Sequence, residues 1–398
     1  MKKLYFMLAL ALCGTMTSCF KDEPLNAEAD IEQAYVHLEN PLDVFFNKTD
    51  TVVDVVSTST DIIFKIKNDA DLTQLCPEFK VTEGATISPA SGSAHDFSNG
   101  QVVAYTITSQ DGQWKRTYNV SFRPYYTVTH YSFDEHIGTA NYNDTKLYKD
   151  LIFNTWTENG YENDNYWASG NPGYAFNMGL SSKKTATPED FPTSSADGGV
   201  SGKCVKLTTV FTSNLGKIFK MPIAAGNLYI GKFGEIAMSQ EKALMATQFG
   251  KDRPFTFKPL RFNGWYKYTR GATYTDESYK EVADAVDTGD IYAILYRNED
   301  ADGKAVVLNG KDVLTNENIV AIARVDEIKE TTEWIPFEVD FKYLKDIDEQ
   351  ALKNKGYNLT IVATSSKDGA FFKGAVGSTM YIDEFEITCD TEATTANK

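Results

Sequence analysis

Residues 85–122 read ATISPASGSAHDFSNGQVVAYTITSQDGQWKRTYNVSF. Within them Val102–Thr108 and Lys115–Phe122 alternate apolar and polar residues, the period-two pattern of strands with one buried face. Asp111-Gly112 between the two runs is a hairpin signal, because these residues accept the left-handed backbone of a tight turn. Toward the N-terminus the texture continues in Tyr35-Val36-His37-Leu38, Thr51–Val56, Ile62–Ile66 and Phe79-Lys80-Val81, interrupted by Asn, Asp and Pro. Short strands at such spacing predict a β-sandwich over residues 34–124. Asp71–Leu75 predicts one helical turn, and Trp114 a residue packed at a strand end. No chemistry is expected in this module.

Arg123-Pro124 interrupts the alternation and marks a boundary. A larger region follows over residues 128–391. Strand-like stretches include Val128–Phe133, Val205–Thr209, Phe262–Tyr268, Asp290–Tyr296, Ile319–Val325, Trp334–Asp340, Tyr357–Thr364 and Thr379–Thr388. Residues 153–177 read as a loop rich in Asn, Asp, Tyr and Trp. Helices are scarce: Asp346–Asn354 is the best candidate and Tyr279–Val286 a short one. Eight or more strands in one unit fit a jelly roll, so the chain is predicted to be all-β.

Composition narrows the function. A formal net charge of −16 leaves no basic stripe to release phosphate counterions, which argues against a nucleic-acid partner. Four histidines leave little for imidazole-rich metal or catalytic schemes. Aromatic residues stand out, with 22 Tyr, 24 Phe and 5 Trp.

The first 18 residues read as a leader. Lys2 and Lys3 precede an apolar run, Leu4–Leu12, of signal-peptide length and too short for a membrane span. Met16-Thr17-Ser18-Cys19 resembles a bacterial lipobox, in which the cysteine is lipidated after cleavage; Phe20-Lys21-Asp22-Glu23 resembles the acidic export signal of Bacteroidetes surface lipoproteins. These resemblances imply an outer-membrane protein, lipid-anchored through Cys19 and displayed on the cell surface, with residues 19–33 as a tether and the anchor as its sole membrane contact. Of the remaining cysteines, Cys76, Cys204 and Cys389, the odd count favours three buried free thiols, with a Cys204–Cys389 bridge as the alternative.

Three further stretches carry a whole-chain resemblance: TWTENGYENDNYWASGNPGYAF (155–176), FKPLRFNGWYKYTRG (257–271) and SSKDGAFFKGAVGSTMYIDEFEI (365–387). They are similar to the family named "putative carbohydrate metabolism domain" of gut Bacteroidetes lipoproteins, and the 85–122 stretch resembles the immunoglobulin-like module that begins many such proteins. The resemblance implies an immunoglobulin-like sandwich followed by a jelly roll related to galactose-binding and carbohydrate-binding modules. It fixes fold better than activity.

Sugar recognition needs aromatic faces for C–H surfaces and planar polar groups for hydroxyls. Trp156, Tyr161, Tyr166, Trp167, Asn171 and Tyr174 supply both within one stretch. The same residues admit a second reading, in which Trp167 and Tyr174 plug the sandwich end and Asn and Asp shape turns. Hydrolysis would need paired carboxylates, for which Glu158, Glu162 and Asp164 are weak candidates; no nucleophile elbow or metal-protease motif is present. Asp134 and Glu135 near the first strand, with Asp383 on the last, resemble positions where such sandwiches hold a structural Ca²⁺. Asp300-Ala301-Asp302-Gly303 reads as a hairpin turn, because Lys311 stands where a calcium loop needs its distal Glu. On the final strand, alternation groups Tyr381, Asp383, Phe385 and Ile387 on the core face, making Asp383 a buried carboxylate in need of a partner. The leading expectation is a non-catalytic glycan-binding lipoprotein of polysaccharide capture, working beside other surface lipoproteins. A glycoside-active enzyme and an adhesin-type structural protein are the alternatives.

Overall fold

The computed structural model describes residues 25–45, 48–67, 70–124, 127–142, 150–161, 164–180, 185–236 and 239–390. The leader, Cys19, the Lys21-Asp22-Glu23 run and Glu162 lie outside them. The chain divides into two compact units, Met1–Tyr125 and Tyr126–Lys398.

The first unit is a two-sheet immunoglobulin-like sandwich. Its strands are β1 (Ile31–Val36), β2 (Val52–Asp54), β3 (Asp61–Ile66), β4 (Pro77–Val81), β5 (Thr86–Ser88), β6 (Val102–Thr108) and β7 (Lys115–Pro124). One sheet has the order β2-β1-β4 and the other β3-β7-β6-β5, with β3 parallel to β7. The β6–β7 hairpin closes at Thr108–Lys115, where Asp111 accepts hydrogen bonds from Ser109 Oγ and the Gln113 N–H and Gly112 takes φ 70°. Phe64, Phe97 and Phe122 fill the core, with Phe64 stacked on Phe122 at 4.7 Å. Three expectations change here. The first strand starts at Ile31, inside the expected tether, and Asp30 anchors it by pairing with Arg116. Residues 71–75 form a turn that ends in a bridge between Leu75 and His95, with no helix. Trp114 is 62% exposed, held at the hairpin by its backbone rather than by packing of its ring.

The second unit runs through β8 (His130–Tyr131), β9 (Ile137–Tyr142), β10 (Leu151–Trp156), β11 (Trp167–Ala168), β12 (Thr193–Asp197), β13 (Lys203–Thr208), β14 (Val210–Phe211) and β15 (Ile223–Ala224). It continues with β16 (Asn227–Phe233), β17 (Thr247–Phe249), β18 (Pro259–Thr269), β19 (Tyr274–Thr275), β20 (Asp290–Arg297), β21 (Ile319–Arg324) and β22 (Thr331–Asp340). The last strands are β23 (Lys342–Tyr343), β24 (Tyr357–Thr364), β25 (Gly374–Ala375) and β26 (Thr379–Cys389). A nine-stranded sheet, β23-β21-β20-β24-β16-β11-β10-β9 with β17 beside β16, packs on a six-stranded sheet, β12-β13-β26-β18-β22 with β8 beside β26. Their shared core holds Trp167, Phe262, Tyr266, Ile291, Leu359, Ile382 and Phe385.

β20 and β24 are buried along nearly their whole length, because the nine-stranded sheet is covered on both faces. Ile291, Ala293 and Leu295 face the main core, while Tyr292, Ile294 and Tyr296 join a separate cluster on the outer face. Helices and loops cover that second face: Asn171–Leu180, Asn214–Ile218 and Gln240–Ala246, the latter two capped by the Ser213 and Ser239 hydroxyls. The first of these overturns the loop expected over 153–177; a helix opening on Asn-Pro-Gly carries weak propensity, and its docking on the sheet decides it. The helix expected over 346–354 is Glu349–Lys353, capped by Asp348. The one expected over 279–286 is absent, and Tyr279 and Asp284 instead take positive φ in a turn. The opening strand pairs over His130–Tyr131 alone. Asp300 shapes its hairpin by accepting from the Asp302 and Lys304 N–H groups. The three described cysteines are free: Cys204 is buried, Cys76 and Cys389 half-buried.

Candidate functional site

The 155–176 stretch divides between two roles. Its first half is core. Trp156 and Trp167 face each other across β10 and β11, each 2% exposed, and Tyr166 is buried beside them. Tyr131 and Phe133 meet the Trp167 ring at 5.1 and 5.2 Å. A ring closed on every side has no face to offer a sugar, so Trp156, Tyr166 and Trp167 are corrected from ligand platform to packing. Asn171 is corrected likewise. It is fully buried, and its amide donates to Thr193 O at 2.7 Å and accepts the Thr193 N–H at 3.2 Å, acting as a strand would.

Arg253 organises the rest. Its buried guanidinium lies over Tyr161 and Tyr166 at 5.1 and 5.3 Å, donates to the Tyr166 and Asn165 carbonyls, and pairs with Asp164 at 3.0 Å. Lys232 adds contacts to Asp164 and Asp252. Asp164 is thus a positioning partner of cations rather than a free acid. Glu158 accepts the Trp167 indole N–H at 2.9 Å, and burial pushes its carboxyl up to about 7.

The expected calcium ligands are spent on the backbone. Asp383 is 0% exposed; one carboxylate oxygen accepts the Val200 N–H at 2.6 Å and the Ser201 N–H at 3.4 Å, and the other the Glu384 N–H at 3.0 Å. Asp134 accepts the Lys203 N–H at 2.5 Å from the same turn. Gly199 and Gly202 permit this approach, since a Cβ at either would collide with the Asp383 or the Asp134 carboxylate. Glu135 is exposed, 4.0 Å from His136. Calcium needs six to eight free oxygens, and no group of three or more potential ligands converges among the described residues. Asp134, Glu135 and Asp383 therefore do not fit the ion. The route to burial also differs from expectation: Glu384 takes φ 50° in a bulge opposite Gly264, so Met380, Ile382, Phe385 and Ile387 face the core. Asp383 points the other way and is buried by the 198–202 turn above it.

The second half of the stretch reaches a cleft of about 420 Å³ on the outer face of the nine-stranded sheet. Its floor comprises Tyr229, Tyr292, Val362 and Thr364, with Asp290 and Arg324 among the strand residues. Tyr174 and Phe176 of the Asn171–Leu180 helix form one wall, Leu244 and Ala246 of the Gln240–Ala246 helix another, and Phe371 and Phe372 the rim. Arg324 grips Asp290 bidentately at 2.9 and 2.7 Å. Burial raises the Asp290 carboxyl even so, and Asp290 in turn raises the guanidinium. Asp368 accepts the Tyr274 hydroxyl at 2.8 Å. Phe371 is 50% exposed at the mouth. Sequence reasoning singled out Tyr174 but missed Tyr292, Arg324 and Phe371, which sit in separate elements that meet only in the fold.

Residues 132–388 match the family model described as "putative carbohydrate metabolism domain". The chain belongs to this family. Residues 42–121 match the model described as "SGBP, N-terminal", named for surface glycan-binding proteins. A structure from Bacteroides thetaiotaomicron described as a "putative glycoside hydrolase" is 37% identical, covering 94% of this chain and 100% of its own, with a TM-score of 0.59. One from Bacteroides vulgatus, described in the same words, is 38% identical, covering 66% of this chain and 98% of its own, with a TM-score of 0.56. No curated protein matches the chain. Family membership gives the protein a carbohydrate-related role, and its immunoglobulin-like module is of the kind found in surface glycan-binding proteins.

Proposed function

We propose that this protein is a cell-surface glycan-binding lipoprotein, held in the outer membrane by a lipid on Cys19, whose cleft takes a saccharide end or short oligosaccharide and passes it to partner lipoproteins. The observation that carries the reading is the cleft itself. The half-buried wall rings Tyr174 and Phe176 and the exposed rim ring, Phe371, supply faces for a sugar, and the Asp290–Arg324 pair supplies fixed polar edges. The two carboxylates in the cleft are both committed, Asp290 to Arg324 and Asp368 to Tyr274, which favours binding over hydrolysis.

A glycan array followed by oligosaccharide titration tests this. At least one oligosaccharide is expected to bind, and Phe371→Ala to weaken it about tenfold with unchanged melting temperature. Absence of any oligosaccharide binding would sink the cleft reading. The hydrolytic alternative is favoured by the description of the Bacteroides relatives. Release of reducing ends from a bound glycan would put it in place of simple binding.

A further inference from the structure

The six-stranded sheet turns one face away from the core. Along β18 the buried Phe262, Gly264, Tyr266 and Tyr268 alternate with the outward Asn263, Trp265 and Lys267. Strand register sets a polar row across that face: Asn263 lies opposite Glu338 of β22 on one side and Glu386 of β26 on the other, and Glu386 lies opposite His130 of β8. Directly opposed residues on one face are within side-chain reach. Trp265, two residues along β18 and roughly 7 Å from Asn263, stands opposite Pro336. Together they line a shallow depression of about 560 Å³.

The groups differ in how far they are already spent. Glu338 pairs with Arg261 at 2.7 Å, and His130 shares a hydrogen bond with Glu384 at 2.8 Å. Lys267 is engaged with the Trp334 and Tyr381 rings. Glu386 is exposed, with no cation paired to it among the described residues. Asn263 donates to Thr388 Oγ1 at 3.3 Å, but its Oδ1 is shielded from solvent without a partner. Trp265 is half-buried. A flat aromatic side chain beside an exposed, uncommitted carboxylate suits a ligand that has C–H faces and many donors.

We propose that this face is a second saccharide platform, on which Trp265 stacks against a unit of a neutral polysaccharide while Glu386 accepts hydrogen bonds from its hydroxyls. The proposal rests on the glycan-binding reading but not on the cleft. Charge selects the ligand class, since Glu338, Glu384 and Glu386 repel a polyuronate chain. Shape selects its length: the shallow depression beside the 198–202 turn accepts an extended polymer, whereas the cleft encloses a short segment.

Affinity electrophoresis of the full-length chain in detergent, with galactan, xyloglucan, mannan or polygalacturonate in the gel, tests the platform. Retardation by at least one neutral polymer and none by polygalacturonate is expected. Trp265→Ala should lose tenfold or more in affinity, Trp265→Phe should keep part of it, and both should melt with the wild type. Phe371→Ala should leave polymer retardation largely intact. Equal retardation of Trp265→Ala and wild type, or preferential retardation by polygalacturonate, would overturn the platform. So would no retardation by any polymer, in which case the cleft still stands or falls on its own oligosaccharide titration.

Discussion

Removing the Asp383 carboxylate should destabilise the second unit, and more so at pH 5 than at pH 7. The carboxylate closes three backbone donors, of which Val200 at 2.6 Å and Glu384 at 3.0 Å are the firm ones. Asp383→Ala leaves those part-buried N–H groups without their acceptor, which costs about 1–3 kcal/mol in all. The pH dependence follows from burial, which pushes the native carboxyl up to about 6 from an ordinary 3.8. The native state therefore binds the proton more tightly than the unfolded chain. The cost of burying the ionised form is fully present above about pH 6 and is relieved as pH falls toward 3.8. From pH 7 to pH 5 the wild type recovers about 1 kcal/mol through this one group, at about 1.4 kcal/mol per pK unit. The alanine variant recovers none, and other titrating groups cancel in the comparison. Asp383→Asn should fall between the two, keeping an acceptor for Val200 while turning an N–H₂ toward the Glu384 N–H. Urea unfolding followed by tryptophan fluorescence at both pH values measures the difference. A destabilisation under 0.5 kcal/mol at both, or one that shrinks on acidification, would refute the reasoning. Chelator should leave the wild-type midpoint unmoved, since these oxygens serve backbone donors rather than a cation.

Trp167→Ala should cost about 3–5 kcal/mol, the range for deleting a fully buried aromatic ring, and an unchanged melting temperature would show that the ring is not core. Glu158→Gln should gain stability relative to wild type as pH rises through about 7, because the wild type must then bury an ionised carboxylate while the amide still accepts the Trp167 indole N–H; a flat difference between pH 6 and 8 would count against it. Cys19→Ala should release the protein from the outer-membrane fraction, and quantitative pelleting of the variant would end the anchor proposal.

Alternation along the chain was enough to determine the all-β class and the β6–β7 hairpin, because a strand's side chains alternate whatever surrounds it. It also marked Asp383 as a carboxylate that needed partners, though for the wrong reason. A single residue in the left-handed region, Glu384, shifts the register of β26, and no periodicity announces a bulge. The aromatic stretch 155–176 was conspicuous but ambiguous: the same ring types serve a core and a sugar site, and only packing buried Trp156, Tyr166 and Trp167 while leaving Tyr174 on a cleft wall. The cleft draws on residues spread from Gly170 to Phe372, and the polar row on residues spread from His130 to Glu386. Local sequence determined which faces are apolar, because that depends on near neighbours; strand pairing between distant segments decided which polar and aromatic groups converge, because that depends on topology.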